Sequence, residues 1–459
     1  MARHVVVLGG GPAGIEAARS AAGAGARVTL VSEGPVGGRA GWHSLTPSKV
    51  WLAAADTWGW VSEAAALGIA IDGPVRPDPG AVLERIRDVT ARWNAQAKSD
   101  LEALGVTLVT GVGSFCSPTE VQVDAGNQAD GARLSADAVI LASGSVPRFP
   151  PGLRPDGERV LAPRFASGLE SLPSSIVVVG GGATGSEFVY LFSRLGVDVT
   201  WVVTERGVLP MFHSEAGQFL GQVLVRRGVH LVKDKRAARI EAGEDGIVLV
   251  TQDGAQFAAD AAFLAIGRRP DTARLNLAAA GLALGSLGEV EVDGFCRSSV
   301  PHIYAAGDVA GRPMLANQAA VQARVAGRHA AGTATSPYRP ETVVYAIYTE
   351  PQVAQVGVWT AQDEAVQTAR LSFEAGLKAH LQPYGEGFVQ LACSAADGRV
   401  LGGLAVGPHA ADVLAPVAVA VQMGAAIEDL AATGGANPTT GELAFLAARQ
   451  ATSAVVDNP

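Results

Sequence analysis

The chain has 459 residues, 48% hydrophobic and only 17% charged, with 56 glycines and a formal net charge of −9. That length holds about three domains of ordinary size, and its richness in Val, Ala and Gly fits parallel α/β architecture. The negative balance argues against nucleic acid or an anionic membrane surface as partner, and no run approaches the ~18–20 apolar residues of a spanning helix.

Arg3 and His4 lead straight into a glycine-rich strand rather than the apolar core of a secretion signal, so a soluble cytoplasmic protein is expected. Residues 4–9, HVVVLG, predict a strand entering Gly9-Gly10-Gly11-Pro12-Ala13-Gly14, then a helix from Pro12 to Ala24 and a second strand, ARVTLVSE. A glycine turn between strand and helix lets backbone N–H groups approach a pyrophosphate at the helix N-terminus. Gly9, Gly11, Pro12, Ala13 and Gly14 are therefore candidate cofactor contacts, with Glu33 as the acid at the end of the second strand.

The unit occurs twice. IVVV at 176–179 enters Gly180-Gly181-Gly182-Ala183-Thr184-Gly185, then a helix through Leu195 and the strand DVTWVV. Gly180, Gly182, Ala183, Thr184 and Gly185 form the second candidate set. Two dinucleotide folds predict two dinucleotides.

Between and after these units, AVILASGSVP at 138–147 and AAFLAIGRRPD at 261–271 read as buried strands ending in glycine turns. IYAAGD at 303–308 reads as a strand closed by an acid. GTATSPYRP, from 332 to 340, reads as a linker, followed by alternating strand patterns and, from Ala411, helical stretches. Cys116, Cys296 and Cys393 lie far apart with no CxxC or metal-type spacing, so neither a disulfide framework nor a metal site is expected.

Residues 37–49, GGRAGWHSLTPSK, resemble the active-site segment of the class I pyridine nucleotide-disulfide oxidoreductases, the dihydrolipoamide dehydrogenase and glutathione reductase family. There the segment carries two cysteines whose disulfide receives electrons from flavin; here those positions are Ala40 and Leu45. The resemblance extends over nearly the whole chain. It implies an α/β fold with two Rossmann-like dinucleotide-binding domains, for FAD (1–145 and 271–334) and NAD(P) (146–270), and a C-terminal α+β dimerisation domain (335–459) forming a homodimer.

The resemblance also assigns residues. Gly38, Ser143, Gly144, Gly267, Gly307 and Asp308 join the cofactor contacts, with Asp308 on the ribityl chain. Lys49 and Glu187 become an ion pair beside the flavin's reactive nitrogen. The family's ribose-binding acid falls at Ser32, which leaves that work to Glu33. Ala183 replaces a tyrosine that covers the flavin in many relatives, implying an open nicotinamide pocket. The family's second acid position is Val203; its loss, with Arg206 nearby, leans towards NADPH, while Glu205 leans back.

A histidine before proline, held by a glutamate, delivers protons in the reductases. Here the pair reads Asn437-Pro438 with Glu442 retained, and an amide does not shuttle protons at neutral pH. Both halves of dithiol chemistry are absent together. His43 is a candidate proton donor in their place, and Trp42 is read as filling volume that the disulfide vacated. PDGERVL at 155–161 and APVAVAVQ at 415–422 are similar to a quinone-reducing branch. The expected activity is an FAD-dependent NAD(P)H oxidoreductase passing electrons from flavin to a small acceptor, foremost a quinone. A flavin-binding dimer without turnover and an enzyme of one specialised metabolite remain the alternatives.

Overall fold

The computed structural model describes residues 2–125, 132–358, 365–382 and 385–456, with residues 454–456 by backbone alone. Strand β1 (His4–Leu8) is buried at all five positions, because parallel neighbours flank it on both edges, helices cover the face of Val5 and Val7, and a small antiparallel sheet bearing Phe115, Val121 and Val123 covers the face of Val6 and Leu8. Its partners are β2 (Arg27–Ser32) and Ala138–Leu141, and the sheet is completed by β3 (Thr107–Thr110) and Ile303–Ala305. Helix α1 (Pro12–Gly23) turns Ala13, Gly14, Ala17, Ala18 and Ala21 inward. These small residues let the helix Ala316–Ala330 pack closely alongside it.

A second parallel sheet is centred on Ser175–Val179, flanked by Asp198–Val202 and Ala261–Leu264, with His230–Val232 and Val160–Leu161 at its edges. A short antiparallel pair, Ser145–Pro147 with Arg268–Pro270, joins the two bodies where the chain crosses between them. The last sheet is antiparallel, in the order Tyr345–Ile347, Gln352–Gly357, Val400–Gly407, Phe388–Ser394, Val366–Ser372, with Ala415–Met423 and Glu442–Val456 packed on it.

Three further helices position the site. α2 (Leu45–Ser62) and α3 (Pro79–Ala103) belong to the first body, and α4 (Ala183–Arg194) follows the second glycine turn. α2 is anchored by Trp51, fully buried, whose indole N–H donates to Ala166 O at 2.8 Å. No helix among the described residues is long and apolar enough to cross a membrane.

Candidate active site

The two glycine turns have nearly the same construction. Gly9 and Gly180 sit at φ +120° and +121°, where a side chain is strained, and an added Cβ would lie 2.2 and 2.3 Å from the Ala142 and Ala265 carbonyl oxygens. A Cβ on Gly11 or Gly182, by contrast, would meet nothing within 4 Å and would project into open space before the helix. α1 and α4 both begin with no side-chain cap, leaving their first N–H groups facing that space. Each turn thus leaves a cradle at a helix N-terminus of the kind that can hold a phosphate, and a larger residue would fill it.

One cavity of about 1960 Å³ joins both cradles. It is lined by Gly9, Gly11, Pro12, Ala13, Glu33, Gly38, Ser143, Gly144, Gly307 and Asp308 around the first, and by Gly180, Gly182, Ala183, Thr184, Arg206 and Gly267 around the second. Lys49, Glu187 and His43 also line it. Gly14 and Gly185 do not. A Cβ there would lie 1.7 Å from Gly9 O and 1.9 Å from Gly180 O, so these glycines let helix pack on strand instead of meeting a ligand.

Lys49 and Glu187 meet where the two bodies face each other. Lys49 Nζ lies 2.8 Å from both Glu187 carboxylate oxygens. The Tyr348 backbone N–H donates to Glu187 Oε1 at 3.1 Å, and the Tyr348 ring lies beneath Nζ at 4.9 Å from its centroid. Glu187 is nearly buried while Lys49 keeps a third of its side chain exposed, so the ammonium is fixed yet open to the cavity.

This pair is the first rung of a ladder. Lys49, Asp56 and Glu63 recur every seven residues along one side of α2, facing Glu187, Tyr190 and Arg194 on α4. Tyr190 donates its hydroxyl to Asp56 Oδ1 at 2.6 Å, and Arg194 Nη2 lies 3.3 Å from Glu63 Oε1. Gly59 makes the crossing possible, because a Cβ there would stand 2.3 Å from Arg194 Nη2. Burial pushes the Asp56 carboxyl above its usual range despite the Tyr190 hydrogen bond. Glu350, behind this cluster, is pushed up to about 7, again by burial, with Arg227 and Arg194 pulling the other way.

Around the first cradle, Ser145 donates to Asp308, and Arg268 Nε in turn donates to Ser145 Oγ at 2.7 Å. Glu33 stands at the end of β2 as expected, but both its oxygens accept from Arg274, at 2.8 and 2.6 Å. Those hydrogen bonds hold its carboxyl below the usual range. A carboxylate gripped by Arg274 still keeps lone pairs for further donors. Around the second cradle Arg206 lines the cavity together with Lys235 and Arg236, and Glu205 is drawn onto Arg236 at the surface.

The segment that carries a disulfide in the reductases is one wide turn, Ala40–Ser44, in which the Leu45 N–H donates to Ala40 O. Trp42 donates its indole N–H to Val36 O at 2.8 Å and lines the cavity wall, while His43 is exposed beside it. Glu442, placed in the catalytic set by the resemblance, stays beside Asn437. It is buried, accepts Asn437 Nδ2 at 3.0 and 2.8 Å, and is not among the residues lining this protomer's cavity. The three cysteines are free thiols, Cys296 and Cys393 buried, and no cluster able to hold a metal occurs among the described residues.

Sequence reasoning missed Arg39, Asp271, Arg274, Tyr190, Asp56 and Glu350. Only the Asp56–Tyr190 rung left a signal, seven residues after Lys49 and three after Glu187. The others come together from distant segments.

The family model for pyridine nucleotide-disulphide oxidoreductases matches residues 3–323, and that for their dimerisation domain matches 343–447. A Mycobacterium tuberculosis protein named NAD(P)H dehydrogenase (quinone) is 35% identical over 449 residues, covering 94% of this chain and 90% of its own. Dihydrolipoyl dehydrogenase 2 of Haloarcula marismortui is 32% identical over 457 residues, covering 98% and 96%. The crystal structure of LpdA from Mycobacterium tuberculosis superposes with a TM-score of 0.92 at 33% identity, over 97% of this chain and 99% of that one.

Proposed function

The chain belongs to the pyridine nucleotide-disulphide oxidoreductase family, and from that premise we propose that it is an FAD-dependent NAD(P)H oxidoreductase delivering electrons to a small acceptor, foremost a quinone, without a redox dithiol. The observation that carries the reading is a single cavity joining two phosphate cradles, with an ordered Lys49–Glu187 pair and no cysteine among its lining residues. The name of the Mycobacterium tuberculosis relative supports a quinone as acceptor.

The residues present fit both dinucleotides. Gly9, Gly11, Pro12 and Ala13 would hold the FAD pyrophosphate, Glu33 the adenosine ribose and Asp308 the ribityl chain, while Gly180, Gly182, Ala183 and Thr184 would hold NAD(P)H. Bound flavin supplies two-electron transfer between the nicotinamide and the acceptor. Lys49 supplies a fixed positive charge, held by Glu187, that favours negative charge developing beside it. Tyr348 and the α2–α4 ladder keep that charge in place as the two bodies face each other. Ala183 leaves the nicotinamide side open, and Ala40, Leu45 and Trp42 give an apolar wall where relatives carry sulfur. Arg206, whose cavity neighbours Lys235 and Arg236 are already paired with Asp253 and Glu205, leans towards NADPH over NADH.

The test is an anaerobic titration of the purified protein with NADPH and, separately, NADH. Complete bleaching of the flavin by one equivalent, with no thiolate charge-transfer band, is expected, followed by reoxidation with quinones. A flavin that stays oxidised with both nucleotides refutes the reading.

A further inference from the structure

The wall of the first cradle contains two ion pairs between segments more than 230 residues apart. Arg39 pairs with Asp271, and Arg274 with Glu33. Both lie on the cavity lining. Asp271 is the fixed post. Its backbone N–H donates to Gly144 O at 2.9 Å, its carbonyl accepts Ser143 Oγ at 2.7 Å, and its side chain is only 13% exposed. Arg39 is the arm, 47% exposed, also donating through Nη2 to Ser143 O at 3.0 Å.

The arm's root lies on the phosphate cradle itself. A Cβ on Gly38 would stand 2.8 Å from Gly11 Cα, so the backbone before Arg39 rests directly against the start of α1. A guanidinium carried there reaches across the rim where a pyrophosphate's charge sits, and matches oxyanions bidentately. Arg274 bridges the neighbouring stretch of rim by gripping Glu33 at the ribose position. Ion pairs whose arginines are about half exposed contribute little to folding. Their position points to another use.

We propose that Arg39 and Arg274 are cofactor-retaining residues: with Asp271 and Glu33 they form a clasp over the first dinucleotide cleft that sets how slowly FAD leaves. The proposal rests on the reading of that cleft as the FAD site. The pairs must open before the adenosine end can withdraw, and Arg39 adds a cation facing the pyrophosphate. Because both arginines are about half exposed, the barrier is sensitive to salt.

The experiment follows FAD release from the holoenzyme by the fluorescence gained as flavin leaves the protein. R39M and R274M should each release FAD about tenfold faster, and the double variant faster still, with R39K intermediate. Wild-type release should accelerate between about 0.05 M and about 0.5 M salt, and that acceleration should largely vanish in the double variant. Release from the double variant within twofold of wild type at low salt overturns the clasp. So does salt-independent release from the wild type, a result that needs no substitution. Protein that purifies without flavin overturns the FAD reading, and the clasp with it; flavin bound but released at an unchanged rate overturns the clasp alone.

Discussion

Replacing Glu350 by Gln should stabilise the protein, by an amount that grows as pH rises through the range from 4.5 to about 7. Glu350 lies beside Asp56 and Arg194, and its carbonyl accepts Arg227 Nη1. Burial raises its carboxyl from 4.5 to about 7. Between those values the folded chain holds a proton that the unfolded chain has released, so stability falls as pH rises through this window. Below the lower value nothing is lost; above about 7 the loss is complete. At about 1.4 kcal/mol per pH unit the total is about 3 kcal/mol. Glutamine keeps the size and neutrality of the protonated acid at every pH. With an unfolding entropy of about 2.1 cal/mol/K per residue, a chain of 459 residues unfolding as one unit would gain about 3 °C in Tm at pH 8.5. At about pH 4 the variant and the wild type should melt nearly together. The assay is a pair of melting curves at half-unit steps from about pH 4 to about pH 9, read as the difference between the two proteins. A difference of the same size at every pH would refute the argument, because a protonation-linked term has to vanish where both states bind the proton. Asp56, itself raised by burial, repels Glu350, so the difference reports this pair's coupled titration.

Other expectations follow from the cavity. Lys49→Met leaves Glu187 with only the Tyr348 N–H at 3.1 Å; flavin reduction in a stopped-flow experiment should slow by about tenfold or more, and an unchanged rate would remove Lys49 from the mechanism. Gly182→Ala projects a methyl into open space, so Tm and flavin content should hold while the Kd for NAD(P)H, measured by titration, rises about tenfold or more. Gly14→Ala instead drives a Cβ to 1.7 Å from a backbone oxygen, and should cost folded yield and bound flavin together. Arg206→Ala should lower kcat/KM for NADPH by about tenfold and leave NADH nearly unchanged; equal losses for both nucleotides would assign Arg206 to folding instead.

Local chemistry fixed much of this protein in advance. A glycine turn needs certain φ angles and clearances whatever surrounds it, so Gly9, Gly11, Gly180 and Gly182 could be read from spacing alone, as could the strands that feed them. The same spacing placed Gly14 and Gly185 among the cofactor contacts, because helix–strand packing demands the same absence of a side chain. Glu33 was legible as the acid ending β2, but its partner was not, because Arg274 arrives from 241 residues away. Nothing local distinguishes an arginine that grips a rim from one that points to water. The Asn437–Glu442 spacing, by contrast, was local enough to read, and it is preserved as a hydrogen-bonded pair. The sequence by itself determined the two phosphate cradles and the missing thiols at Ala40 and Leu45, because these depend on residue type and near neighbours. Tertiary structure alone decided which charges meet across the cleft, and it did so by bringing α2 and α4, and residues 33–39 and 271–274, within hydrogen-bonding distance.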